Sequence, residues 1–380
     1  MSKDKILFLV NVDWFFMSHR LPIAQAAMSK GYEVHIATTF TDQASTMKDH
    51  GFILHEVQMS RSGLKLISNI RTLIDIVKIF RMVRPKLVHL VTIKPILLGG
   101  IAARITKIHG VIVAISGLGS SFIDQGFSGK IRRFFIKNLY KVSLDHPNIK
   151  VICQNKSDLE DIQKISQLPP SDFSLIEGSG VSLTKFQYCI DRNKVPKVIM
   201  ASRLLKDKGV LEFADAARLL KDNSTQVNMI LVGEPDPDNP SSITRAQISL
   251  WEQEGILEYW GHQKNMENIL SLASIVVLPS YREGFPKILI EAAACGRAVI
   301  TTDVPGCRDA IYNGVTGVLV PKQNATALAH SIRDLALNSR ACKEMGQKGR
   351  KMAEKRFDEN KVIEMHFLIY DQLLARGNQV

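Results

Sequence analysis

Residues 279–296 read PSYREGFPKILIEAAACG. The run before them, Ile275 to Leu278, is short, apolar and β-branched, which marks a buried strand. A loop follows, Tyr281-Arg282-Glu283-Gly284-Phe285, and Pro286 suits the first position of a helix that Gly296 terminates. Such a helix directs its N-terminus at whatever the loop holds. Backbone N–H groups there suit ligand oxygens, and Gly284 lets the main chain come close. Glu283 lies in the loop and Glu291 about a turn and a half into the helix. Two ionised carboxylates so placed either accept hydrogen bonds from sugar hydroxyls or are plain surface glutamates. The strand–loop–helix context favours the first.

Outward from this stretch the same unit recurs. Ile6–Val10, Glu33–Ala37, Leu87–Val91, Val111–Ile115 and Lys150–Cys153 read as strands of a first sheet, with helical stretches such as Leu21–Lys30 between them. Polar, aperiodic sequence from Val181 to Pro196 interrupts the rhythm. It restarts with strands at Lys197–Ala201, Asn228–Val232, Leu257–Trp260, Ile275–Leu278, Ala298–Thr301 and Val318–Val320. Alternating strands and helices indicate parallel sheets, and 380 residues exceed one ordinary core. The expected fold is α/β, two doubly wound Rossmann-like halves with ligands in a cleft beyond the carboxyl ends of the strands.

A hydrophobic content of 45% with 23% charged residues excludes a disordered or collagen-like chain. Five scattered cysteines, with no C-x-x-C pair, predict neither a disulfide framework nor a zinc site and fit a reducing cytosol. Lys3 and Lys5 precede Ile6–Val10, but Asn11 and Asp13 interrupt the apolar run well short of a signal-peptide core. No stretch is apolar enough for a spanning helix. The net charge of +12 is local: residues 51–100 and 101–150 each carry eight Lys/Arg against two Asp/Glu, and together hold the whole excess. A local anionic partner is the expectation.

A second motif follows the first strand of the second half, Ala201-Ser-Arg-Leu-Leu-Lys-Asp-Lys-Gly209. Arg203 as a planar fork and Lys208 as a point charge can converge on a diphosphate, or both are solvated loop charges. Gly178-Ser179-Gly180 is either a third element or a tight turn. The one D-x-D run, Asp236-Pro237-Asp238, reads as a solvated turn, so no metal site is expected.

Together, R-x4-K-G and the E-x7-E of EGFP…E resemble the retaining glycosyltransferases of family 4, which have the GT-B fold of two Rossmann-like domains facing across a cleft. The resemblance runs from ILFLVNVDWFFMSHRLPIA to the final helix. GLGSSFIDQGF (117–127) and ACGRAVITTDVPGCRDAI (294–311) are similar to bacterial enzymes that add N-acetylgalactosamine to a polyprenyl-diphosphate-linked sugar. This resemblance implies an acceptor domain at 1–182, a donor domain at 183–358, and a C-terminal helix, 359–380, packed back on the first. It implies that Arg203 and Lys208 hold the diphosphate of a UDP-sugar, and that Glu291 takes the ribose hydroxyls. Glu283, with the backbone of Gly284, Phe285 and Pro286, would position the donor sugar. The loop from Gly261 through His262 to Lys264 corresponds to the nucleobase contact. The nucleotide sugar would be a co-substrate, with no other cofactor and no metal. Many members place His-Gly after the strand ending here at Ile115, where this chain has Ser116-Gly117; His109-Gly110, before that strand, reads as a turn. No histidine base is assigned. His19, Lys94, Asp13 and Asp124 are the acceptor-side candidates, each with a structural or solvated role as the alternative.

The basic segment falls on two amphipathic stretches. RSGLKLISNIRTLIDIVKIFRMVRPK carries Arg61, Lys65, Arg71, Lys78, Arg81 and Arg84; FSGKIRRFFIKNLYKVSL carries Lys130, Arg132, Arg133, Lys137 and Lys141 beside Phe134 and Phe135. Either they are ordinary helices with a solvated cationic face, or they lie on an anionic bilayer surface. With 7% aromatic residues and no binding module, nucleic acid is not an expected partner. The expectation is a cytoplasmic enzyme at the inner face of the cell membrane, acting on a polyprenyl-diphosphate saccharide in surface-polysaccharide or glycan assembly. The alternatives are a UDP-sugar epimerase of the same fold and a non-enzymatic carbohydrate- or nucleic-acid-binding protein.

Overall fold

A computed structural model describes residues 3–59, 66–118, 127–237 and 239–376, with side chains for all of these but 66 and 127–135. The chain forms two compact units. One holds the chain up to Ser179 together with the segment from Lys361; the other is Gly180–Asn360. The first boundary falls before Val181 because Val181 bridges Asp358, within the second unit.

The first unit contains β1 (Lys5–Val12), β2 (Glu33–Thr39), β3 (Ile53–Glu56), β4 (Leu87–Val91), β5 (Gly110–Ile115), β6 (Ile149–Cys153) and β7 (Phe173–Leu175), paired in parallel in the order β3-β2-β1-β4-β5-β6-β7. Every residue of β4, β5 and β6 is buried. Helices cover both faces of such a sheet, so these strands read as mainly apolar runs rather than as alternation, broken by the buried His89 in β4 and Lys150 in β6. Gly110 opens β5 rather than making a turn before it. The helix Glu359–Arg376 buries Phe367, Tyr370 and Leu373 in the first unit's core, and His89 Nδ1 lies 2.7 Å from the Tyr370 hydroxyl.

The second unit contains β8 (Lys197–Ala201), β9 (Asn228–Val232), β10 (Glu258–Tyr259), β11 (Ile275–Leu278), β12 (Ala298–Thr302) and β13 (Gly317–Val320), in the parallel order β10-β9-β8-β11-β12-β13. In each sheet the winding reverses direction once among the described strands, between β1 and β4 and between β8 and β11. At such a switch point adjacent crossovers run to opposite sides and leave a crevice beyond the strand ends. His19 and Lys94 follow the two switch strands of the first sheet; Arg203, Lys208 and Glu283 follow those of the second. Among the described residues no helix is long and apolar enough to cross a membrane. All five cysteines are free thiols.

Candidate functional site

The loops after β8 and β11 are tied together by their own backbone. Asp207 O accepts from Tyr281 N at 2.9 Å, and the Tyr281 hydroxyl donates to Glu212 at 2.6 Å. This frame brings Lys208 Nζ to 2.5 Å from Glu283 Oε1, which also accepts from Ser280 Oγ at 2.6 Å. Both charged side chains are largely shielded, 18% and 12% exposed, so their attraction is stronger than at an open surface. The Glu283-Gly284 backbone is backed by Gly306, at φ +80; a Cβ there would lie 2.5 Å from both carbonyl oxygens. The helix Lys287–Ala294 begins immediately after. Pro286 is its N-cap, not its first residue, and its side chain makes no capping hydrogen bond. A cation, a carboxylate, a hydroxyl and a helix N-terminus therefore gather at one switch point, an arrangement that can bind an anion together with a polyol.

The remaining donor-side candidates are placed separately. Arg203 is half exposed and pairs with Asp236 at 3.3 Å. The Asp236 side chain is only 14% exposed, and its backbone N–H donates to Ser242 Oγ. The reading of this segment as a solvated turn is thus corrected for Asp236; Asp238 lies outside the described residues. Sequence reasoning missed both Asp236 and Ser280: Asp236 because its partner Arg203 is distant in the chain, and Ser280 because no pattern shows that Glu283 turns back onto it. Phe285 turns its ring into the core, edge-on to Phe357 at 5.5 Å. Gly261, at φ +65, accepts from Gly233 N at 2.9 Å, and His262 is exposed.

Glu291 is buried, with Lys287 Nζ 3.4 Å away. Desolvation raises its carboxyl above the usual range, and Lys287 only partly opposes this. The folded state therefore holds the proton more tightly than the unfolded chain. Stability from this group is full below pH 4.5 and is lost as pH rises through the folded value. Glu291→Gln is expected to stabilise the fold at neutral pH by about 1 kcal/mol, with the gain shrinking toward acid, as read by thermal unfolding across that range.

In the first unit, Asp13 is fully buried and uses both oxygens within the fold: it accepts from Trp14 N, Thr41 N, Thr41 Oγ1 and Gln43 N. Its expected acceptor-side role is corrected to a structural one, fixing the loop after β2. His19 ends the helix Asp13–His19 and stacks on Phe15 at 4.1 Å. Lys94 sits in the first turn of the helix Ile93–Thr106, and burial lowers its ammonium pKa. The residue before that helix, Thr92, carries strain unannounced by the sequence. Its backbone is at φ +72, ψ 164, and its Oγ1 is buried without a partner. Arg20 is buried as well; desolvation lowers it to about 10, and its Nη1 donates to His19 O. Asp124 and most of GLGSSFIDQGF lie outside the described residues.

Two parallel-sheet α/β units, each with one switch point, have the architecture of the GT-B glycosyltransferases. Residues 5–166 match the glycosyl transferase 4-like family and residues 189–352 the glycosyl transferases group 1, and the chain belongs to these enzymes. It is 28% identical, over 97% of its length and 99% of the relative's, to the N,N'-diacetylbacillosaminyl-diphospho-undecaprenol alpha-1,3-N-acetylgalactosaminyltransferase of Campylobacter jejuni. Its fold matches the sucrose-phosphate synthase of Thermosynechococcus elongatus, with a TM-score of 0.80 at 21% identity over 98% of this chain and 100% of that one. It also matches Anabaena HepE in complex with UDP and glucose, with a TM-score of 0.78 at 16% identity over 97% and 99%. A non-enzymatic binding protein is thereby excluded.

Proposed function

We propose that this glycosyltransferase moves N-acetylgalactosamine, or a related hexose or N-acetylhexosamine, from UDP to a saccharide carried on polyprenyl diphosphate, with retention at the anomeric carbon. The observation that carries the reading is the shielded Lys208–Glu283 pair at the start of the helix Lys287–Ala294. The name of the Campylobacter relative supports the acceptor class and the sugar; the UDP complex of the Anabaena protein supports the nucleotide. Transfer rather than epimerisation agrees with that relative.

In this reading Arg203 and Lys208 hold the donor diphosphate and stabilise the charge that grows on it as the bond from the anomeric carbon to the phosphate oxygen breaks. Each such preorganised donor contributes about 3 to 4 kcal/mol, so no divalent metal or further cofactor is needed. Arg203 exchanges Asp236 for phosphate, and Lys208 shares itself between phosphate and Glu283. Glu283, with the backbone of Gly284, Phe285 and Pro286, orients the sugar. Glu291 takes the ribose hydroxyls, and Gly261 and His262 face the base. The acceptor hydroxyl attacks from the same face, and its proton passes to the departing phosphate. His19 and Lys94 serve the acceptor side, where Lys94 meets its phosphates.

The enzyme works at the cytoplasmic face of the cell membrane. The helix Leu66–Val83 exposes Ile67, Ile70, Ile74 and Met82 along with Arg71, Lys78 and Arg81. This apolar and cationic surface suits an anionic bilayer interface. Arg61 and Lys65, and the side chains of Lys130, Arg132, Arg133, Phe134 and Phe135, lie outside the described residues.

Incubating membranes that carry polyprenyl-diphosphate acceptor with a panel of radiolabelled UDP-sugars tests the reading, with cosedimentation on anionic against neutral vesicles as the check on the membrane surface. Label is expected in lipid from UDP-N-acetylgalactosamine or one close analogue. Interconversion of UDP-sugars without transfer to lipid would contradict it.

A further inference from the structure

The first sheet has a second built feature, on the edge opposite the acceptor candidates. At the amino ends of β1, β4 and β5 a cavity of about 690 Å3 is floored by Phe80, Pro85 and Ile108. Six cations line it against one acid, Asp4. Lys86 is neutralised by Asp4 at 3.0 Å and Lys5 by Glu33 at 3.4 Å. Lys3, Arg81, Arg84 and Lys107 have no carboxylate within 4.0 Å among the described residues.

Helix ends explain part of this charge. The helices Leu66–Val83 and Ile93–Thr106 both finish here, and each C-terminus carries about half a negative charge. That offsets about one of the four unpaired cations. Arg84 and Lys107 directly follow those helices at φ +50 and +52, where glycine is the usual residue because any Cβ is strained. Capping alone would be better served by glycine. His109, also lining the cavity, has a buried Nε2 without a partner.

We propose that this cavity is a second anion site, taking a ligand with clustered phosphate groups. The guanidinium forks of Arg81 and Arg84 match phosphate oxygens in pairs, and Lys3 and Lys107 add point charge. The apolar floor admits the carbon portion of such a ligand. Two sources share this chemistry, a soluble polyphosphate and a phospholipid headgroup. The site goes beyond the donor assignment and does not depend on it.

The doubly substituted Arg84→Gly, Lys107→Gly protein tests the inference, because glycine preserves the helix ends and relieves the backbone. Inorganic triphosphate is titrated calorimetrically at low salt with the donor site saturated by UDP, and phosphatidylglycerol vesicles are cosedimented in parallel. The variant is expected to melt no lower than the parent while losing at least tenfold in affinity for one probe. Loss confined to triphosphate identifies a soluble ligand, and loss confined to vesicles a headgroup; loss of both supports the shared chemistry. Unchanged binding of both probes overturns the proposal. Arg81→Gln, which leaves the helix ends untouched, gives the triphosphate readout should the glycine variant fold poorly; its vesicle binding reads both surfaces at once, because Arg81 also belongs to the proposed membrane surface.

Discussion

Lys208→Met is expected to lower kcat by about a hundredfold to a thousandfold, the effect of removing one preorganised donor from a developing oxyanion. The side chain has one observed partner and one proposed role. It neutralises Glu283 in the resting fold at 2.5 Å, and in the proposed reaction it stabilises the leaving diphosphate. Removing it leaves the shielded Glu283 carboxylate with the Ser280 hydroxyl at 2.6 Å. An underpaired, mostly buried acceptor costs about 1 to 3 kcal/mol, so the single variant is expected to lose stability as well as turnover. Adding Glu283→Gln removes the stranded charge. The double variant should therefore recover most of the unfolding free energy and none of the turnover, as measured by urea denaturation and initial rates. Recovery of both would make the pair merely structural.

Gly233→Ala is expected to destabilise the second unit by about 2 to 4 kcal/mol, from backbone strain and overpacking together. Gly233 sits at φ +132 just beyond β9, and a Cβ there would fall 1.8 Å from Ser202 O at the end of β8. The main chain cannot simply move aside. Gly233 N donates to Gly261 O at 2.9 Å, and Gly233 O accepts from the Tyr259 hydroxyl at 2.9 Å. Three loops at the carboxyl edge of the sheet share this contact, including the one that begins at Ser202 and carries Arg203. Gly261→Ala is the matched control: it also has a positive φ, but nothing lies within 4 Å of its Cβ position. Its cost should stay near 1 kcal/mol. Denaturant unfolding of the two variants side by side distinguishes the clash from the dihedral cost.

The central strands were legible because burial on both faces leaves a short apolar, β-branched run with no alternation. Leu87–Val91, Lys197–Ala201 and Ile275–Leu278 are legible in the sequence with their observed bounds. The edges were not. β3, Ile53–Glu56, is half-exposed and half polar, and the run read as Leu257–Trp260 shortens to Glu258–Tyr259 beside a single neighbour. The E-x7-E stretch was legible as a loop and a helix start, which are local matters. What Glu283 and Asp236 face was not, since Lys208 and Arg203 reach them across many residues of chain. Nor does any residue pattern announce the strained Thr92 backbone; only the fold requires it. Asp13 shows the opposite error. A lone acid at a strand end invites a catalytic reading, yet three of its four hydrogen bonds hold the loop after β2 and the fourth its own helix start.

In the proposed reaction the switch point between β8 and β11 holds the nucleotide diphosphate through Lys208 and Arg203. Calorimetric titration of UDP into the parent, Lys208→Met and Arg203→Met proteins tests it most directly. Tight binding by the parent and at least tenfold weaker binding by each variant, with folds intact by circular dichroism, is the predicted result. UDP affinity unchanged in both variants would contradict the account.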